Sequence, residues 1–299
     1  MAAIEVYNLS KSYGRVKALD NVTLSVERGE LFGLIGPDGA GKSTLFRLLT
    51  TLLSPDSGHA KVDGFDIVKE YLDIRSRVGY MPGRFSLYPD LSVEENLQFF
   101  ASLFGVTVKE SYDLIAPIYK HIEPFKERHA GKLSGGMKQK LALSCALIHR
   151  PSVLFLDEPT TGVDAVSRSE FWDMLTELKG RGITILVSTP YMDEASRCDR
   201  IALCNEGHIL QIDTPRGIVK GFDRPLYGIK AKNMYRLLER ARSAEGVYDC
   251  YPFGEYHHLV VDDSFDIERF STLLSCIEGL EIKRIEPTIE DMFIKLMKR

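Results

Sequence analysis

The sequence predicts an α/β fold with a smaller α+β domain at its carboxyl end. Residues 31–35 and 153–156 are short continuous apolar runs and residues 183–187 are mostly apolar, the pattern of parallel strands that are buried on both faces. From residue 224 onward, short strand-like and helix-like segments alternate, which indicates a separate domain. The length of 299 residues suits one large domain with an appendage.

Composition and charge limit the kinds of partner and the cellular location that we expect for this chain. The net charge is −4 and no dense block of lysine or arginine occurs, so we do not expect nucleic acid as a partner. No apolar run approaches the ~20 residues of a membrane-spanning helix, and the first residues lack a secretory signal, so we expect a cytoplasmic protein. The five cysteines are scattered without C-x-x-C spacing and are predicted to be reduced, mostly packed thiols.

The first part of the chain is predicted to form antiparallel strands. Residues 4–7 and 22–26 alternate apolar with polar side chains and are interrupted by the turn-forming residues Ser12, Gly14 and Asn21. Tyr13 lies between them, ahead of a glycine-rich stretch. Its ring either stacks on a purine base or is an ordinary half-buried surface tyrosine, and the sequence leaves both readings open at this point.

The glycine-rich stretch follows the strand at residues 31–35 and opens an apolar helix. It fits the pattern G-x-x-x-x-G-K-[S/T] in the setting of a phosphate-binding loop. Backbone N–H groups and the helix dipole would face the phosphates, Lys42 would add a positive charge, and Ser43 would reach a magnesium ion. A simple turn does not need Gly-Lys-Ser at a helix start. The candidate nucleotide-binding residues of this loop are Gly36, Pro37, Asp38, Gly39, Ala40, Gly41, Lys42, Ser43 and Thr44.

A mostly helical insertion is predicted at about residues 85–148. It begins with a capping box formed by Ser92 and Glu95. Near its end, Ser134, Gly135 and Gly136 stand at the start of another helix. These three residues form either a simple capped helix or a second place where exposed N–H groups accept phosphate oxygens.

Two carboxylates end the second apolar strand. Because α/β sheets bind ligands at the carboxyl ends of their strands, Asp157 and Glu158 are candidate site residues rather than mere caps of the next turn. Asp157 would hold a magnesium ion through water. Glu158 would polarise, or accept a proton from, the water that attacks the γ-phosphate.

The remaining segments complete the two domains. Residues 167–180 are predicted to form a helix with its own capping box, Ser167 and Glu170, and the α/β pattern ends near Lys220. Residues 224–299 resemble a ferredoxin-like βαββαβ unit with a closing helix. We expect this unit to serve packing or dimer contact, or else to hold a regulatory ligand. His257 and His258 are neighbours on a strand, so they point to opposite faces and are treated as ordinary polar residues.

Taken in order, these motifs resemble the nucleotide-binding subunit of an ABC transporter. The Walker A loop at residues 36–44, the signature at 133–137, the Walker B end at 156–159 and the D-loop that ends at Asp164 occur in the family's order. The resemblance covers roughly residues 1–220. It implies a P-loop NTPase core of ABC type, with an antiparallel β subdomain and a helical signature subdomain. Within the family the sequence looks most like ATPases of ABC-2-type exporters, and Asp38 resembles the amino-terminal half of tandem-ATPase drug exporters.

The resemblance implies a mechanism and partners. Two such subunits dimerise head to tail with ATP and Mg²⁺ between them, so that Ser134, Gly135 and Gly136 would close on the partner's nucleotide. Closure moves integral membrane permease subunits, which places the chain on the cytoplasmic face of the cell membrane. Tyr13 matches the position of the family's base-stacking aromatic residue.

Two positions depart from the family pattern. A glutamine usually follows the strand that ends at Met81, where this chain has Gly83. A histidine usually follows the third buried strand, where this chain has Pro190, and proline has no N–H to donate. Losing one preorganised group that stabilises transition-state charge costs ~3 kcal/mol, or about a hundredfold to a thousandfold in rate. We therefore expect slow hydrolysis, with Thr189 and Arg84 as candidate substitutes.

These departures favour an asymmetric pair. We expect the chain to join a different ATPase that has the histidine, which gives one slow and one competent site. The alternative is a regulatory ATP-binding subunit whose own hydrolysis is dispensable. A soluble ABC protein that acts on DNA or the ribosome would carry a long coiled coil or a second ATPase domain, and this sequence has neither.

Overall fold

The structure is a computed structural model that describes residues 2–298. The chain forms two compact units, residues 1–215 and 216–299. The division lies a few residues before Lys220, where the α/β pattern of the sequence ends.

The described part of the first unit has ten strands in two sheets. They are β1 (Ala2–Tyr13), β2 (Val16–Glu27), β3 (Leu31–Ile35), β4 (Ser57–Val62), β5 (Phe65–Asp66), β6 (Val78–Met81), β7 (Val153–Asp157), β8 (Thr184–Thr189), β9 (Arg200–Asn205) and β10 (His208–Asp213). The smaller sheet is antiparallel with the order β2-β1-β4-β5. The larger sheet has the order β10-β9-β3-β8-β7-β6 and is parallel except for β10. This arrangement confirms the predicted α/β core with an antiparallel subdomain.

The helices of the first unit include the predicted helical part. They are α1 (Lys42–Leu49), α2 (Tyr71–Arg77), α3 (Val93–Leu103), α4 (Val108–Tyr119), α5 (Gly135–Leu147) and α6 (Ala165–Gly180). Helices α3, α4 and α5 pack against one another. The predicted capping box is confirmed at the start of α3, because Glu95 N donates to Ser92 Oγ at 3.1 Å and Ser92 N donates to Glu95 Oε2 at 2.7 Å.

A buried apolar core joins the two sheets around α1. Ile4 and Val6 of β1, Phe46 of α1 and Phe155 of β7 all belong to it. The rings of Phe46 and Phe155 meet edge to face with centroids 5.8 Å apart. Because β3 is buried along its whole length and α1 is fixed by this core, the loop between them has two rigid ends.

The first two strands are longer than the sequence predicts. Strands β1 and β2 run well beyond residues 4–7 and 22–26. Asn8 and Asn21 have φ angles of 48° and 49°, and the pairing register shifts beside both. Both residues therefore form irregularities within one continuous ladder, and the turn that the sequence pattern indicates at Asn21 is wrong.

The predicted capping box at Ser167 and Glu170 is wrong. Helix α6 begins at Ala165, and Asp164 is its N-cap. Asp164 Oδ1 accepts hydrogen bonds from Val166 N at 3.1 Å and Ser167 N at 3.0 Å. Aspartate is among the strongest N-cap residues, so it takes the position ahead of Ser167.

The second unit has the predicted order of elements. Its strands are β11 (Leu226–Lys230), β12 (Val247–Phe253), β13 (Tyr256–Val261) and β14 (Glu281–Arg284), and its helices are α8 (Met234–Arg242), α9 (Ile267–Leu273) and α10 (Ile289–Met297), with α7 (Pro215–Lys220) at the division. The sheet is antiparallel with the order β12-β13-β11-β14, which is the order of a ferredoxin-like βαββαβ unit. One face packs on α8 and α9, and the other face packs on α10.

The neighbouring histidines of β13 point to opposite faces, as expected. His257 Nε2 lies 2.8 Å from Met234 O of α8, and His258 Nδ1 lies 2.6 Å from Asp291 Oδ1 of α10. Treating them as ordinary polar residues is wrong, because each is only 6% exposed. Both are part of the interior of the second unit.

Asp291 is the polar centre of the α10 face. It is fully buried, and it accepts hydrogen bonds from Tyr251 Oη and from the backbone N and Oγ1 of Thr288, each at 2.7 Å. Burial raises the pKa of Asp291, but the hydrogen bonds from His258, Tyr251 and Thr288 outweigh it and hold the pKa below its ordinary value of 3.8. The ionised carboxylate therefore stabilises the fold above pH 3.8, and this stabilisation is lost as the pH falls through the lowered pKa.

We expect Asp291→Ala to lower the free energy of unfolding of the second unit by about 3 kcal/mol at pH 7, because it leaves Tyr251 and His258 without their buried partner. Urea titrations followed by tyrosine fluorescence measure this change, and the difference from the wild type should shrink below pH 3.8. Asp263→Ala is the control, because Asp263 is exposed and has no side-chain partner among residues 2–298. Equal midpoints for the two variants would contradict a stabilising cluster.

Candidate functional site

The glycine-rich loop joins the central strand β3 to α1. Strand β3 lies between β8 and β9, so the loop leaves at the carboxyl edge of the parallel strands. Helix α1 begins at Lys42. The N–H groups of its first turn, including those of Ser43 and Thr44, lack intrahelical acceptors and are available to an anion.

Two glycines allow the loop to lie close against neighbouring backbone. Gly41 has a φ angle of 93°, and a Cβ atom there would lie 2.3 Å from Ala18 O. A Cβ atom on Gly36 would lie 2.2 Å from Cys204 O. A side chain at either position would push the loop away from β2 or β9, so both positions require glycine.

Lys42 points back along the loop. Its Nζ donates to Gly36 O at 2.8 Å and to Pro37 O at 3.0 Å, and it lies 3.3 Å from Glu158 Oε1. The residue is 4% exposed, so these acceptors compensate for burial of the ammonium group. The lysine therefore links the loop to the carboxylate that follows β7.

A cavity of about 460 Å³ connects the predicted binding residues. It brings together Tyr13 at the end of β1, the loop and Glu158. The residues that line it are Tyr13, Val16, Lys17, Ala18, Asp38, Gly39, Ala40, Gly41, Lys42, Ser43, Thr44, Glu158 and Glu206. Gly36 and Pro37 lie behind this surface and hold the Lys42 ammonium with their carbonyl groups. Because Tyr13 shares the cavity with the loop, the stacking interpretation of this residue is favoured.

The two carboxylates after β7 have different surroundings. Asp157 is 5% exposed and accepts a hydrogen bond from Ser188 Oγ at 2.7 Å. Its charge contributes, after burial, to raising the pKa of Tyr80 to about 12. Glu158 is partly exposed and has a φ angle of 50°, a strained conformation for glutamate. Strain at a residue that faces the cavity is typical of a functional position.

This donor set fits a nucleotide with magnesium. The hydroxyl group of Ser43 and the carboxylate of Asp157 are hard oxygen ligands, and Mg²⁺ is usually held by one or two such groups together with substrate phosphates. The Lys42 ammonium and the N–H groups at the start of α1 suit the phosphates. Close backbone packing at Gly36 and Gly41 fixes the loop against β9 and β2, so that its N–H groups keep their positions at the cavity.

The candidate signature residues lie apart from this cavity. Ser134 is the N-cap of α5, and its Oγ accepts a hydrogen bond from Met137 N at 3.3 Å. Gly135 and Gly136 form the first turn, and a Cβ atom on Gly136 would lie 2.8 Å from Ser167 Oγ of α6. None of the three lines the cavity of the loop. Asp164 is likewise outside it, as the cap of α6.

The two departures from the family pattern lie beside the carboxylates. A Cβ atom on Gly83 would lie 3.1 Å from Asp157 O, so this position adjoins the end of β7. Pro190 directly follows β8, the strand between β3 and β7. Thr189 is an unsuitable substitute for a histidine, because it is fully buried and its Oγ1 donates to Glu194 Oε2 at 2.5 Å. Arg84 is exposed.

Sequence reasoning missed the polar groups behind the site. Ser188 contacts both residues of the carboxylate pair. Glu194 is 3% exposed and accepts hydrogen bonds from Thr160 Oγ1 at 2.8 Å and from Thr189. Arg168 Nε lies 3.7 Å from Glu194 Oε1, and its guanidinium group lies 4.4 Å from the centre of the Tyr191 ring. The one sequence feature that indicates such groups is the presence of small polar residues at the carboxyl ends of buried strands.

The fold and the cavity define a nucleotide-binding protein of the P-loop class. The glycine-rich loop after β3 and the carboxylate pair after β7 lie at the same carboxyl edge of the parallel sheet, with β8 between them, and Glu158 of the pair lines the cavity. Comparison with known sequences specifies the family: residues 19–161 match the family described as "ABC transporter".

Named relatives agree with this match. The chain is 40% identical over 277 residues to the "Probable multidrug ABC transporter ATP-binding protein YbhF" of Escherichia coli (strain K12), covering 91% of this chain and 48% of that protein. It therefore spans about half the length of this relative. It is 34% identical to the "Nod factor export ATP-binding protein I" of Sinorhizobium fredii (strain NBRC 101917 / NGR234), covering 99% of this chain and 86% of that protein.

Solved structures show the same fold. The "Structure of ATP binding subunit of ABC transporter" superposes with a TM-score of 0.67 at 30% identity, over 74% of this chain and 93% of that chain. The "Dimeric Structure of MJ0796, a Bacterial ABC Transporter Cassette" superposes with a TM-score of 0.64 at 26% identity, over 71% of this chain and 98% of that chain. The chain belongs to the ABC transporter family, as an ATP-binding member. Among residues 2–298, no helix combines the length and the apolar character needed to cross a membrane.

Proposed function

We propose that the chain is the ATP-binding subunit of an ABC exporter and couples MgATP binding and slow hydrolysis to transport by separate membrane subunits. The observation that carries this proposal is the single cavity shared by Tyr13, the loop and Glu158. The names of the relatives, a multidrug transporter protein and a Nod factor export protein, support an exporter. The small carboxyl-terminal domain supports the ABC-2 type, and Asp38 supports a likeness to the amino-terminal half of tandem-ATPase exporters.

Each residue of the site has a defined part in this function. The N–H groups of the loop and Lys42 hold the phosphates, and the Tyr13 ring stacks on the base. Ser43 and Asp157 hold Mg²⁺, which when bound neutralises phosphate charge. Glu158 orients the attacking water and accepts its proton. The ion pair with Lys42 keeps the Glu158 carboxylate beside the phosphate end of the cavity.

The site is built for binding more than for rapid hydrolysis. Pro190 and Gly83 offer no side-chain donor at two places where family members usually have one, and the Thr189 hydroxyl is already bonded to Glu194. The signature residues Ser134–Gly136 lie outside the chain's own cavity and would serve the nucleotide of a partner. We therefore propose a head-to-tail heterodimer with a second ABC ATPase that has the missing histidine.

We expect Pro190→His to raise ATP turnover by the purified chain by about tenfold to a hundredfold, because it restores one donor toward the γ-phosphate. Pro190→Ala is the matched control, since it removes the ring without adding a donor and should leave turnover unchanged. Phosphate release at saturating MgATP measures both variants. A homodimer of the unmodified chain that hydrolyses ATP at rates typical of intact family members would contradict the asymmetric pair.

The first unit also offers a surface for a membrane subunit. An apolar groove of about 390 Å³ lies among β6, the loop that follows it, α3 and α5. Leu52 and Phe104 are 56% and 40% exposed at this groove, and Arg75 is a cation in its lining. The groove wall at Pro82 continues into Gly83, which adjoins Asp157. We propose that a short helix of the permease, with an apolar face and an acidic end, binds here at the cytoplasmic membrane surface.

Leu52→Asp should weaken binding to the membrane subunits about thirtyfold, since loss of a buried apolar anchor costs roughly 2 kcal/mol. Co-purification with a tagged permease measures the loss, and ATP binding by the variant confirms that the first unit is folded. Leu273→Asp makes the same change at a leucine that is 61% exposed in the second unit. If both variants co-purify equally with the permease, the groove is not the docking surface.

The two departures also favour a second candidate function, a regulatory ATP-binding subunit whose own hydrolysis is dispensable. Glu158→Gln separates the candidates, because it removes the proton acceptor and keeps the shape of the side chain. If this chain's hydrolysis drives export, transport by the assembled complex falls by about a hundredfold, in line with loss of a general base. Unchanged export would establish the regulatory function. Glu245→Gln, at an exposed position of the second unit, controls for the change of charge.

A further inference from the structure

One serine contacts both members of the carboxylate pair. Ser188 is fully buried near the end of β8, and it pairs directly with Asp157 in the parallel register of β7 and β8. Its Oγ donates to Asp157 Oδ1 at 2.7 Å and accepts a hydrogen bond from Glu158 N at 3.0 Å. Glu158 N also lies 3.1 Å from Ser188 O, so the strained Glu158 backbone is held by two oxygens of one residue.

Asp157 depends on this hydroxyl for its orientation. Among residues 2–298, Ser188 provides the only side-chain hydrogen bond to the Asp157 carboxylate, and no cation lies within ion-pair distance of it. Because a carboxylate is planar, a hydrogen bond that fixes one of its oxygens also fixes the direction of the other. The Ser188 contact therefore decides which way the remaining Asp157 oxygen points.

The end of β8 is itself rigid. Thr189 O accepts from Gly36 N at 3.3 Å on the β3 side, and the Thr189 hydroxyl bonds to Glu194. Glu194 in turn accepts from Thr160 beyond the carboxylate pair. Ser188 is thus held between the loop and the carboxylates, and its hydroxyl has little freedom to move.

We propose that Ser188 is a positioning residue that aims Asp157 at the magnesium ion and holds the backbone of Glu158 in its strained conformation. This inference rests on the proposed binding of MgATP. Ser188 is fully buried and does not line the cavity of the loop, so it acts through Asp157 and Glu158. Ser188 therefore affects how strongly magnesium increases the affinity for the nucleotide. The loop binds the phosphates without it.

The test measures ATP affinity of the full chain by calorimetry, once in Mg²⁺ and once in EDTA. With Ser188→Ala, affinity in EDTA should stay at the wild-type value, and affinity in Mg²⁺ should fall by about tenfold to a hundredfold, the usual effect of removing a residue that orients a metal ligand. Ser188→Thr keeps the hydroxyl and should recover most of the magnesium effect. Ser144→Ala is the matched control, because Ser144 is also fully buried and, within residues 2–298, its hydroxyl bonds only to Lys140 O of its own helix.

A double-mutant cycle with Asp157→Asn completes the test. If Ser188 acts through Asp157, adding Ser188→Ala to Asp157→Asn causes no further loss of magnesium dependence. If Ser188→Ala does not fold, Ser188→Cys is measured in its place, because a cysteine has a similar volume and is only a weak hydrogen-bond donor. A wild-type chain that binds no ATP in either buffer overturns the proposed function and this inference with it. A normal magnesium effect that survives Ser188→Ala in full overturns only the role of Ser188.

Discussion

The register of three neighbouring strands is the constraint on which the site depends. Strand β8 lies between β3, which leads into the loop, and β7, which ends in the carboxylates. Ile35 pairs with Thr189, and Asp157 pairs with Ser188, so the three strand ends stop at the same level. Because a register slip in a strand reverses the direction of every side chain, this alignment fixes the loop and the acids relative to each other.

The ion pair between Lys42 and Glu158 depends on that alignment. A buried ammonium group is tolerated only with close acceptors, and here the acceptors come from the loop itself and from Glu158 after β7. Under the proposed function the same cation meets the phosphates, so binding needs a rearrangement of this one side chain. The slow hydrolysis that we propose follows because Gly83 and Pro190 supply no side-chain donor.

The sequence predicts the local parts of this arrangement well. The loop at residues 36–44, the start of α5 at Ser134 and the closing helix of the second unit follow from short-range patterns, since caps, glycines and apolar spacing act within a few residues. Ser188 and Glu194 could not be found this way. Their partners Asp157 and Thr160 lie some thirty residues away along the chain, and only the pairing of β7 with β8 brings them together.

The errors at Asn21 and Ser167 share one physical cause. Each residue has a local preference, for a turn or for a helix cap, that a stronger competing interaction overrides. Asn21 forms an irregularity within a twelve-residue strand of an antiparallel ladder, and Asp164, not Ser167, is the N-cap of α6. Propensity therefore decides an element only where no longer-range pairing or better cap competes with it.

The end of β8 shows how binding and turnover can be separated in one fold. Pro190 removes a donor at the edge of the site, yet the strand that precedes it remains anchored through Ser188 on one side and Thr189 on the other. Under the proposed function, a substitution at Pro190 changes what faces the γ-phosphate and leaves the placement of the loop and the acids intact. The proposed subunit would then keep its affinity for MgATP while the site of the proposed partner provides most of the hydrolysis.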